Sequence, residues 1–293
     1  MTRAGKAEQL EPGLRRILAP NPSAMTLHGT NTYILGDDTL AVIDPGPEHA
    51  GHLAAILDAV TPGQRISHIL VTHSHIDHSP LAPALSRETG APVLAFGDST
   101  AGRRTDLAQL TGLGGGEGVD RGFRPDRALA DGEVLRGAGW SITALHTPGH
   151  MGNHLCFAWG DAVFTGDHVM GWASSMVSPP DGDLGAFMTS LQRLTRRRDR
   201  VFYPGHGDPV ADPPGRLAEL IAHRHARDRQ IIAALRDGPA DAATLTRAIY
   251  TDVAPALHAA AMRNVIAHLL DLTERDIVTP EKPPAPDTRF ALR

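Results

Sequence analysis

Cysteine is all but absent: 293 residues include one, Cys156. With no second thiol to pair with, disulfide frameworks and zinc-thiolate sites are excluded. Cys156 lies in HLCFAWG, which alternates like a strand, and reads as a small buried hydrophobe. Long apolar runs are missing too; no stretch approaches the ~20 apolar residues of a spanning helix. The opening MTRAGKAEQLEPGLRRILAP has no continuous apolar core, so no secretory signal is expected, and a cytoplasmic location without a membrane partner is the expectation. Positive charge is not in excess: the formal net charge is −5, which exerts no general pull on nucleic acid or anionic lipid. There is no G-x-S-x-G elbow for a serine nucleophile. The glycine-rich GLGGGEG at 112–118 lacks the lysine of a phosphate-cradling loop and follows no strand, so it reads as a plain loop within an irregular stretch, 101–130.

What is present fits a soluble globular protein, 41% hydrophobic and 21% charged, long enough for one large domain or a large and a small one. Runs at 40–44, 67–72, 92–96, 141–147, 154–159 and 162–166 read as strands. Segments 48–60, 79–89, 184–195 and 214–235 have helical spacing of apolar residues. Strands mixed with helices throughout indicate an α/β fold. DGP at 237–239 marks a break. Beyond it come helical patterns at 241–250, 255–260 and 261–272, then IVTPEKPPAPDTRFAL, a strand–turn–strand pattern. Two domains are therefore expected, 1–236 and 237–293. The second resembles a helical unit with a β-wing. Residues 236–293 carry seven Arg/Lys and eight Asp/Glu, which favours packing or homodimerisation over nucleic-acid binding.

Histidine is abundant, with 16 copies, and its placement matters more than its number. VTHSHIDHSP at 71–80 places His73, His75, Asp77 and His78 directly after a strand. Imidazole nitrogen and carboxylate oxygen are ligands that zinc and similar ions accept. One short motif cannot complete two coordination shells, so further ligands are expected downstream at strand ends. HTPGH supplies His150, FTGDH supplies Asp167 and VFYPGHG supplies His206, each directly after a glycine. Glycine suits a tight turn that brings backbone close to a crowded centre.

This ordered series resembles the metallo-β-lactamase superfamily, over roughly residues 28–210. GTNTYILG, VIDPGP, TPGHMGNH, GDHVMGW, PPDGD, YPGHGDPV and HRHARDRQII resemble the lactamase-β-like hydrolases within it, which carry a C-terminal winged-helix-like domain. One departure is Ser79-Pro80, where many relatives have Ser/Ala-Gly-Gly; proline suits a helix's first turn. The resemblance implies an αβ/βα sandwich followed by the small winged-helix-like domain. It implies His73, His75 and His150 on one ion, Asp77, His78 and His206 on a second, and Asp167 bridging. The ions would be zinc, with manganese and iron as alternatives. Asp44, in VIDPG, is either a carboxylate orienting a ligand imidazole or a turn aspartate.

Among the other histidines, His154 reads as core or as support for a ligand, while His168 faces either substrate or core. His223 and His225 read as solvated, and His28 as near the metal pocket; His49, His52, His258 and His268 have no constellation around them. Two ions sharing a water generate a hydroxide near neutral pH. A metal-bound hydroxide is then the expected nucleophile, with Asp77 and Asp167 as the catalytic carboxylates. The expected substrate is a small thioester, ester or lactone. Single-stranded RNA cleavage and mononuclear iron dioxygenation are the alternatives. Specificity is expected from 101–130, from 171–183 and from the C-terminal domain.

Overall fold

The computed structural model describes residues 4–110, 113, 116, 118–251, 254 and 257–293. Seven strands form a first sheet in chain order: β1 (Ala7–Glu11), β2 (Leu14–Leu18), β3 (Asn31–Leu35), β4 (Thr39–Ile43), β5 (Arg65–Leu70), β6 (Val93–Ala95) and β7 (Arg127–Ala128). The strands β1 to β4 pair antiparallel and β4 to β7 pair parallel. A second sheet holds β8 (Val134–Gly137), β9 (Trp140–His146), β10 (Leu155–Trp159), β11 (Ala162–Gly166) and β12 (Val201–Pro204), side by side in chain order.

Side-chain alternation builds the layers. Tyr33 and Leu35 of β3, Ala41 and Ile43 of β4, and Leu155 and Phe157 of β10 meet between the sheets. The intervening Ile34, Leu40 and Val42 face outward onto α1 (Ala50–Asp58) and α2 (Ala82–Thr89). Cys156, Ala158 and Val163 face the other way, onto α4 (Leu184–Thr195) and α5 (Pro213–Leu235). The order is therefore helix, sheet, sheet, helix. Strands buried on both faces read as continuous apolar runs, which is why the central ones are visible in sequence. A single turn, α3 (Thr105–Ala108), lies in the irregular stretch. Of GLGGGEG, residues 112, 114, 115 and 117 lie outside the described residues.

The helix starts are chemically specified. Asp183, Asp212 and Asp241 each accept a backbone N–H two or three residues into the helix that follows, α4, α5 or α6 (Ala242–Ile249). Pro80 falls two residues ahead of α2 rather than in its first turn. Beyond α6 comes α7 (His258–Glu274), one helix where two were expected. The Ala-rich HAAAM at 258–262 carries it through the expected division, while 255–256 lie outside the described residues. A three-stranded sheet follows in the order β13 (Ala240–Asp241), β15 (Arg289–Leu292), β14 (Val278–Pro280). Leu245, Leu269 and Phe290 of this unit share a core with Ile231 and Leu235 of α5. Ala267 of α7 reaches into the core under α4. Among the described residues, no helix is long and apolar enough to cross a membrane.

Candidate metal centre

Each sequence-predicted ligand stands just past a strand end on one edge of the sandwich. His73, His75, Asp77 and His78 follow β5, His150 follows β9, Asp167 follows β11 and His206 follows β12. Their donor atoms form two groups, each within 4.8 Å: His73, His75, His150 and Asp167, and then Asp77, His78 and His206. The loop bearing the first four is braced from the irregular stretch. Ile76 N–H donates to Gly118 O (2.8 Å) and Asp120 N–H to Ser74 O (2.8 Å).

Asp167 lies between the groups. Its Oδ2 is 3.9 Å from His73 Nε2 and 3.6 Å from His150 Nε2; its Oδ1 is 3.4 Å from His78 Nε2 and 3.3 Å from His206 Nε2. Asp77 Oδ2 is 3.1 Å from His206 Nε2. The outer nitrogens have partners of their own. His78 Nδ1 contacts Asp44 Oδ2 (2.9 Å), His150 Nδ1 the Met176 carbonyl (2.7 Å), and His206 Nδ1 the Gly29 carbonyl (3.1 Å). Asp44 also takes Thr72 N–H and the Thr72 hydroxyl, both at 2.7 Å, at a positive φ of 50°. It thus fills both roles read for it, turn residue and orienter of an imidazole.

Glycines before the ligands do two different jobs. Gly149 (φ 147°) and Gly166 (φ 47°) take positive φ. Gly205 supplies room, because a Cβ there would lie 2.6 Å from Asp167 Oδ1.

The donor chemistry fits divalent cations. His75 Nδ1 lies 3.0 Å from both His73 Nε2 and His150 Nε2, and His78 Nε2 lies 3.4 Å from His206 Nε2. Asp167 Oδ1 is buried without a hydrogen-bond partner. Nitrogens facing nitrogens around an unpartnered carboxylate oxygen are satisfied together by cations. Burial, with His150 alongside, pushes His75 down to about 3, so this imidazole is neutral and its lone pair available. Burial also acts to lower His206, but Asp167 and Asp77 outweigh it and raise it to about 10.

Other histidines sort by burial. His154 and His168 are fully buried, and His168 packs on Phe187 (4.5 Å between centroids), so core is its place. His223, His225 and His28 are exposed, and His28 lies outside the cleft. His49 caps α1. Burial pushes the Cys156 thiol up to about 12, and its sulfur is closed off in β10.

Over the centre opens a cleft of about 540 Å³. Its walls come from all three expected segments, through Gly116 and Gly118, through 172–181, and through Tyr250 and the start of α7. The segment Ser23–Thr26 adds a further wall, with the exposed Met25 at its centre; PSAMT carries no motif that marks it in the sequence. Met25, Ile76, Trp172 and Leu257 line the cleft and are four of the five large apolar side chains exposed among the described residues. An apolar concentration of this kind marks a binding surface.

A two-group histidine–aspartate centre at the strand ends of an αβ/βα sandwich defines a class, the metal-dependent hydrolases of this fold. Residues 25–206 match the profile of the "Metallo-beta-lactamase superfamily", and 242–283 that of the "Beta-lactamase associated winged helix domain". "Lactamase-like protein adaB" of Aspergillus niger is 36% identical over 240 residues, 80% of this chain and 68% of that protein. An "Atrochrysone carboxyl ACP thioesterase" of Aspergillus fumigatus is 32% identical over 282 residues, 89% of this chain and 82% of that protein. A beta-lactamase domain protein from Burkholderia ambifaria superposes with a TM-score of 0.83 at 21% identity, covering 100% of this chain and 95% of that one. A metallo-beta-lactamase family protein from Thermus thermophilus gives 0.77 at 27% identity, over 97% and 100%.

The chain belongs to the metallo-β-lactamase superfamily, with an α/β sandwich followed by a winged-helix domain. It is a hydrolase, and its fold implies divalent metal ions.

Proposed function

We propose that the protein is a dinuclear zinc hydrolase that cleaves the thioester, or a related ester or lactone, of a small apolar acyl group. The observation that carries this reading is the apolar cleft standing directly over the seven ligand groups. Relatives named as thioesterases support it.

His73, His75 and His150 would hold one ion, Asp77, His78 and His206 the other, with Asp167 between them. Two divalent ions there would lower the pKa of a shared water towards neutrality and polarise the scissile carbonyl. Met25, Ile76 and Trp172 hold the acyl group and exclude water. Asp77, whose side chain is 20% exposed against 10% for Asp167, is the carboxylate open to the cleft and takes or passes on a proton. Residues 1–236 are the catalytic domain in this reading, and 237–293 complete the cleft.

RNA cleavage is the weaker reading. Arg263 is the single Lys or Arg among the described lining residues, whereas Asp77, Asp167 and Asp181 line the same cleft. Phosphate contacts supply much of nucleic-acid affinity, and few cations are here to make them. Zinc-reconstituted protein should be assayed side by side on acyl thioesters, lactones, phosphodiesters and single-stranded RNA. The thioesters should give the highest kcat/KM; turnover of RNA above all of them would overturn the proposal.

A further inference from the structure

Arg224 is a buried cation, 3% exposed, in a helix whose other histidines and arginines are exposed or half-buried. A guanidinium taken from water demands compensation. Arg224 Nη2 donates to the Ser175 carbonyl, and Nη1 donates to Asn264 Oδ1 at 3.2 Å. The guanidinium also stands 5.0 Å over the Phe187 ring. Asn264, on α7, uses the same Oδ1 to accept Val177 N–H at 3.1 Å. Between Ser175 and Val177 sits Met176, whose carbonyl faces His150 Nδ1 at 2.7 Å. Ser175 is pinned from below as well, its hydroxyl donating to the His168 carbonyl (3.1 Å).

We propose that Arg224 and Asn264 are positioning residues. They fix the Ser175–Val177 backbone so that the Met176 carbonyl sets the ring orientation of His150, and through it one metal site. This rests on His150 being a metal ligand. It gives the C-terminal unit a role in the centre itself. Arg224 ends the strut on α5 and Asn264 ends it on α7, so the site is complete only when α7 is docked. Partners that orient a ligand imidazole are worth roughly 10–100-fold in metal affinity.

The test is chelator-competition titration of zinc, with the absorption spectrum of the cobalt(II) form as a second readout. It uses the full chain as wild type, Asn264→Leu, Asn264→Asp, Arg224→Met and His150→Ala, with exposed His225→Ala as control. Asn264→Leu should weaken one of two ions about 10–100-fold and alter the cobalt spectrum. Asn264→Asp keeps an oxygen to accept both donors and should restore both readouts, even where its Tm falls. Arg224→Met should follow Asn264→Leu; if it does not fold, the Asn264 pair decides. Wild-type affinity in Asn264→Leu, or equal loss in Asn264→Leu and Asn264→Asp, overturns the proposal. Unchanged binding in His150→Ala overturns the metal reading beneath it.

Discussion

At the residue scale, three of the imidazoles are aimed by what they do with their other nitrogen. His78, His150 and His206 turn Nδ1 to Asp44, Met176 O and Gly29 O, which leaves Nε2 directed inward. Sequence shows the ligands because His and Asp stand in ordered, glycine-flanked turns. It cannot show a supporting carbonyl, since any residue supplies one, and so Met176 and Gly29 were not readable. Asp167 faces both groups with different oxygens, so Asp167→Ala should lower kcat/KM by more than about 100-fold, the upper range for losing only an orienting partner. Circular dichroism should remain that of the wild type; surviving activity would remove the bridging role. His52 offers a second test, away from the centre. The Thr32 hydroxyl gives its proton to the Asp44 carbonyl (2.7 Å), so it must accept from His52 Nε2–H (2.8 Å). That leaves His52 Nδ1 buried without a partner and the ring neutral. Burial pushes His52 down to about 4, below its unfolded value near 6.5. Between those values the unfolded chain binds the proton more tightly, so stability falls as pH drops from about 6.5 to about 4. His52→Gln should remove up to about 1.4 kcal/mol per pH unit from that slope, read from urea unfolding at pH 7, 6 and 5.

Elements were legible where one physical rule dominated. The central strands, such as AVFTG at β11, are buried on both faces and read as unbroken apolar runs. The pattern at 184–195 matches α4 to the residue because Asp183 caps its start and Phe187, Leu191 and Leu194 form one apolar stripe. In contrast, β1 and β2 were hidden. LRRIL carries Arg16, which is buried because Glu8 on the neighbouring strand pairs with it at 2.7 Å and the Gly207 carbonyl accepts from it at 3.2 Å, and partners so distant in sequence have no local signature. Between the sheets the same alternation gives a stability test. Phe157, fully buried on β10, packs with side chains of both sheets. Phe157→Ala should cost about 3–5 kcal/mol in urea unfolding through lost transfer energy and a cavity. A loss under about 1 kcal/mol would mean that the sheets do not close on this residue.

Across the whole molecule, the two matched regions do not behave as beads on a string. Ile231 and Leu235 of α5 lie in the core of the C-terminal unit, while Ala267 of α7 lies in the core beneath α4. The centre, the cleft wall and the winged-helix unit should therefore unfold together. Ligand convergence has the same consequence for metal. Seven donors from four strand-end loops meet only in the folded chain, so bound ions stabilise the folded state over the unfolded one by mass action. At free zinc 100 times a site's Kd, each ion adds about 2.7 kcal/mol. Stripping the protein with a chelator should lower Tm by several degrees while keeping a single calorimetric transition, and adding zinc back should restore it in proportion to the logarithm of free metal. Two separate transitions, with only one responding to zinc, would show that the C-terminal unit is energetically independent of the centre.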